Sequence, residues 1–124
     1  MPLTPEDCKA MPQVRAEIDR IDEALVDLIA ERFRYVDRAW HLKENPGDAY
    51  VPWRIQQVID KVKVRGRAKG LPPELTEALW RQMIGWFVQY EEENLRQSQE
   101  TIAKGHAPRD GAKGDGPKGD GGAT

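Results

Sequence analysis

The chain is poor in the residues that most enzymes use for covalent or metal chemistry. A single cysteine, Cys8, excludes a disulfide framework within one chain. Two histidines, His41 and His106, leave few candidates for a catalytic triad, and no Cys/His cluster has metal-ligand spacing. No apolar run approaches the roughly 20 residues that span a bilayer. The opening MPLTPEDCKAMPQV lacks a basic segment followed by an apolar one, so no secretory signal is visible and the expectation is cytoplasmic. An excess of positive charge is missing too. Lys plus Arg total 19 against 21 Asp plus Glu, a net charge of −2, which argues against a nucleic-acid partner.

What is present is helical periodicity over most of 124 residues. From Val14, the positions Val14, Ile18, Ile21, Leu25, Leu28, Arg32, Tyr35, Ala39 and Leu42 step by four and three, a heptad-type seam. Pro12 suits a first helical turn and Pro46-Gly47 ends the run. A helix of about 30 residues would be about 45 Å long. So small a monomer cannot bury such a seam alone, which predicts a partner helix.

A second helix is predicted to start near Pro52, with Ile55, Val58, Ile59 and Val62 on one stripe, and to end between Gly66 and Gly70. The third begins at Pro72-Pro73 and runs toward Gln99, with Leu75, Leu79, Met83, Ile84, Trp86, Phe87 and Tyr90 on its apolar face. Trp80, Trp86 and Tyr90 are expected in the core. No strand pattern appears. The fold class is all-α, three helices in the order long–short–long.

The helical domain is assigned to 1–102, and 103–124 to a Gly/Lys/Asp-rich tail. The tail holds seven of the eleven glycines and repeats AKGDG as PKGDG. It has too little apolar surface to offset its ordering entropy and is expected to be disordered.

Arg32 stands in the seam where the preceding members are aliphatic. Arginine is rarely buried without a partner, and pairing with Glu31 or Asp27 or reaching to the helix edge would satisfy it. The spacing of the other cations adds a second possibility. Lys43 follows by eleven residues, only about 20° off the same azimuth and about 16 Å along the axis, so the two could grip a dianion between them. Arg15 lies about 25 Å from Arg32 and about 42 Å from Lys43 on a straight helix. A single small ligand meets all three only if two such helices run antiparallel, with Arg15 supplied by the partner subunit. A two-fold dimer with two composite sites follows as an expectation.

Arg15, Arg32 and Lys43, in VRAEIDRID, AERFRYV and HLK, resemble in spacing the cations of the all-helical chorismate mutases. The opening TPEDC, IDRID, Tyr35-Val36 and the stretch GL…WRQMIGWF are similar to the branch that contains isochorismate pyruvate lyase of siderophore biosynthesis. The resemblance covers about residues 4 to 97. It implies an intertwined homodimer in which Arg15 of the partner subunit and Arg32 hold substrate carboxylates. It implies that Lys43 contacts a carboxylate and the ether oxygen of the breaking bond, and that Arg54 lies near the pocket. A solvated Arg54 at a helix start is the plain alternative.

This chain departs from the family pattern twice. Glu91 stands where a glutamine completes the site, and Ile55 where ordinary mutases carry a glutamate for the substrate hydroxyl. An aliphatic residue at position 55 is the habit of the lyase branch.

The reaction implied is the pericyclic rearrangement of chorismate to prephenate, on the route to aromatic amino acids. It needs orientation and charge stabilisation, and calls for no cofactor and no metal. Arginine forks suit carboxylates and lysine supplies a point charge. Two alternatives stand beside it. One is an isochorismate pyruvate lyase making salicylate and pyruvate. The other is a non-catalytic helical dimer that binds a dicarboxylate metabolite. The partners expected are the small-molecule substrate and a second copy of the chain, with neither nucleic acid nor membrane. Cys8 and His41 are given no catalytic role. Glu91, seven residues after Ile84 and four after Phe87, faces the apolar stripe, while Glu92 and Glu93 turn away.

Overall fold

A computed structural model describes residues 1–104. The described residues form three α-helices and no strand: α1 spans Met11–His41, α2 Pro52–Ala68 and α3 Pro73–Ala103. Short 3₁₀ turns occupy Pro5–Asp7 and Pro46–Ala49. The order long–short–long is the predicted one, and α3 runs four residues beyond Gln99. Residues 105–124, nearly all of the predicted tail, lie outside the described part.

Prolines mark the helix starts. Pro52 and Pro73 occupy first-turn positions of α2 and α3, where a missing N–H costs no helical bond. Gly70 ends α2 with φ of 87°, the left-handed region. Gly70 N–H donates to Arg67 O at 3.1 Å and Leu71 N–H donates to Gly66 O at 2.8 Å, the paired bonds of a Schellman stop. Gly66 serves a second purpose. A Cβ there would meet Thr76 Oγ1 at 2.7 Å, so its absence lets α2 and α3 approach closely.

The chain divides into two compact units within α1, after Arg34. The first unit, residues 1–34, is the opening turn and most of α1. Thr4 Oγ1 accepts from Asp7 N–H, and Gln13 Oε1 accepts from the N–H groups of Lys9 and Ala10 at 2.6 and 3.1 Å, capping the start of α1. Ile18, Ile21, Leu25 and Leu28 all stand exposed, Leu28 at 62%.

The second unit begins at Tyr35 and has a true core. Trp40 from the last turns of α1 packs with Ala49, Val58 and Ile59, and with Ile84, Val88 and Leu95 of α3. Helices α2 and α3 run antiparallel, as the Lys63–Glu77 ion pair at 2.8 Å and the Gly66–Thr76 approach require.

Two expectations about this core need correction. Trp86 is 57% exposed, because six residues from Trp80 amount to about 240° of helical turn and carry it off the buried stripe. Trp80 and Tyr90 are half-buried against the core, as expected. In α1, Tyr35 is exposed, and Val36 and Trp40 are buried instead. Beyond Arg34 the buried stripe of α1 is therefore displaced by one residue, about 100°, from the seam read off the sequence.

Candidate functional site

Among the site residues predicted from sequence, the second unit brings Lys43 and Glu91 into direct contact. Lys43 follows the end of α1 by two residues, its N–H donating to Trp40 O at 3.1 Å. Its ammonium donates to Glu91 Oε1 at 2.8 Å. Both are buried, Lys43 to 5% exposure and Glu91 to 0%. Glu91 sits on the α3 stripe with Ile84 and Phe87, which are themselves buried, as the spacing predicts. Glu93 is exposed and Glu92 half-buried.

The second carboxylate oxygen of Glu91, Oε2, is also buried and has no hydrogen-bond partner among the described residues. Burial disfavours its charged form, and the Lys43 ammonium, by hydrogen bond and by charge, opposes that effect. Burial wins. The Glu91 carboxyl is pushed up from 4.5 to about 7. Near neutral pH both its acid and its charged forms are populated, and the acid form carries a proton that it can donate in a hydrogen bond.

Ile55 packs against the core from α2 and, with Tyr50, Ile84, Val88, Gln89 and Glu92, lines a cavity of about 310 Å³. Arg54, one residue earlier, is half-buried and donates to Gln57 Oε1 at 2.6 Å. Arg15 and Arg32 belong to the first unit, on α1, with Arg15 exposed and Arg32 half-buried. His41 Nδ1 lies 2.8 Å from Asp37 O, and its ring stacks on Trp40 at 3.9 Å.

Sequence reasoning placed Lys43 and Glu91 in one site but did not foresee the ion pair between them. It also missed Asp37, whose carboxylate receives hydrogen bonds from Trp40 and from Tyr90. An acid three residues before a tryptophan gave no distinguishing signal, and Tyr90 is 53 residues away. Among the described residues no group of three or more His, Cys, Asp or Glu could hold a metal ion, and no helix is long and apolar enough to cross a membrane.

Comparison with known proteins gives the family of the chain. The chain is 31% identical over 85 residues to isochorismate pyruvate lyase of Pseudomonas aeruginosa, covering 68% of this chain and 84% of that protein. It is 33% identical over 72 residues to the T-protein of Enterobacter agglomerans, covering 57% of this chain but only 19% of that protein. The family described as chorismate mutase type II matches residues 14–92, a span that contains Arg15, Arg32, Lys43, Arg54, Ile55 and Glu91. An all-helical chain with that match over more than half its length belongs to the chorismate mutase type II family.

Proposed function

We propose that this protein is a chorismate mutase, converting chorismate to prephenate in a two-fold dimer whose sites draw Arg15 from the partner subunit. The observation that carries the reading is the buried Lys43–Glu91 pair, with one carboxylate oxygen left unbonded inside a family match that spans it. In the rearrangement the ether C–O bond breaks as a C–C bond forms, and negative charge grows on the ether oxygen. Two preorganised donors suit that oxygen: the Lys43 ammonium and a protonated Glu91. Arg32, Arg54 and the partner subunit's Arg15 would hold the two substrate carboxylates and keep the molecule folded in its reactive shape.

A second reading has its own observations. Elimination of pyruvate from isochorismate breaks the corresponding ether bond and asks for the same donors. Ile55 offers no polar group to the substrate ring, and one relative carries the lyase name. Incubation with chorismate and with isochorismate, resolving prephenate, salicylate and pyruvate by chromatography, decides between them. Prephenate from chorismate is the expected product. Salicylate and pyruvate alone would assign the lyase, and turnover of neither substrate would leave a non-catalytic helical dimer that binds a dicarboxylate.

A further inference from the structure

The end of α1 is fastened to α3 at two neighbouring points, and only one of them involves the predicted site. Asp37 Oδ1 accepts the Trp40 indole N–H at 2.8 Å and the Tyr90 hydroxyl at 2.6 Å. The donors come from different helices and converge on a single oxygen. The Tyr90 bond has the short length of a hydroxyl bound to a charged acceptor, which makes it stronger than a neutral bond. Trp40 is 1% exposed at the centre of the core, so Asp37 ties a fixed ring to α3. Tyr90 is itself braced, its ring stacked on Trp86 at 5.6 Å and 12°.

The second fastening is Lys43 to Glu91. Lys43 follows Trp40 by three residues and hydrogen-bonds to its carbonyl, and Glu91 is the next residue after Tyr90. A lysine ammonium sits at the end of four methylenes, and its direction is only as certain as its backbone. The Asp37–Trp40–Tyr90 junction ties together the stretches of α1 and α3 that lead into Lys43 and Glu91.

We infer that Asp37 and Tyr90 are positioning residues, which lock the last turns of α1 onto α3 and so aim Lys43 at Glu91. The catalytic consequence rests on the proposed function above, whereas the geometric one does not. Neither residue is expected to touch the substrate.

The test is Tyr90→Phe in the full-length chain, which removes one hydroxyl and keeps the ring stacked on Trp86. Loss of one half-buried hydrogen bond to a carboxylate corresponds to up to roughly a tenfold effect. The expected result is a fall in kcat of about that size with KM changed less. A second readout is the Glu91 carboxyl, followed by carbon NMR titration without substrate. Its midpoint should move up from about 7, because Lys43, the charged group bonded to it, is held less firmly against it. Asp37→Asn, which keeps an oxygen acceptor, should lose less kcat than Asp37→Ala. A lowered melting temperature with unchanged kcat and an unmoved Glu91 midpoint would overturn the inference, leaving the junction as scaffold only. If the wild-type chain turned over neither chorismate nor isochorismate, the functional reading would fail, and the Glu91 midpoint in Tyr90→Phe would still decide the positioning claim.

Discussion

The two units of this chain solve different problems with similar helices. The second unit has a core of its own, a buried ion pair and a tryptophan at its centre. The first is most of one long helix whose aliphatic side chains stand exposed and whose two candidate site arginines, Arg15 and Arg32, lie 17 residues apart. Most helical stability in proteins comes from packing an apolar face. The contrast teaches a division of labour. The unit that packs on itself holds a carboxyl against an ammonium, and the unit that does not carries two arginines proposed to bind substrate beside an exposed aliphatic stripe.

Breaking the charged grip should give the largest effect. Arg32→Ala and Lys43→Ala are each expected to lower kcat/KM by more than about a hundredfold. That exceeds the cost of one charge-assisted hydrogen bond, because the substrate charge each is proposed to contact would be stranded. Arg32→Lys should fail nearly as badly, since a point charge does not reproduce the planar fork. Steady-state kinetics checks all three, and normal efficiency in Arg32→Lys would remove the bidentate role.

The exposed seam comes next. Leu25→Asp places a charge in the middle of the apolar stripe and should convert the expected dimer to monomer in sedimentation at micromolar concentration, with activity lost in parallel. Mixing inactive Arg15→Ala and Lys43→Ala proteins should restore one composite site per heterodimer after subunit exchange. A folded, active monomer would show that the first unit needs no partner.

The smallest effect sharpens the comparison from the side of the second unit. Gly85 lies in the middle of α3, exposed, and a Cβ there would meet nothing within 4 Å. Gly85→Ala should raise stability by about 0.5–1 kcal/mol, measured by urea denaturation, because α3 belongs to a unit already folded around its own core.

Much of this was legible along the chain because the signals were local. Pro52, Pro73 and Gly70 act within a turn of their own position, so the helix limits could be read directly. Glu91 announced its burial by its distance from Ile84 and Phe87. Trp86 was misplaced because a wide apolar face hides which of its members point inward, and an aromatic at its edge reads like one at its centre. The shift of the buried stripe from Tyr35 to Val36 and Trp40 was hidden for a related reason. Both sets share the helical period, and only packing against α2 and α3 selects between them. The Asp37–Tyr90 bond was out of reach altogether, since it depends on how α1 ends over α3 and leaves no spacing to recognise.

The account turns on the proton carried by Glu91. A carboxyl with its pKa raised to about 7 is largely protonated at pH 5–6, where it would donate to the ether oxygen under the proposed function, and it ionises as pH rises, which would remove the donor and repel the developing charge. The most direct measurement is kcat/KM from pH 5 to 9 on chorismate, which reports groups of the free enzyme, for the wild type and for Glu91→Gln, which keeps an N–H donor at every pH. The account predicts a wild-type value that falls about tenfold per pH unit above about 7, and a Glu91→Gln value that holds level and exceeds the wild type at pH 8. A flat wild-type profile with no gain in Glu91→Gln at high pH would contradict it, and would leave the ether contact to Lys43 alone.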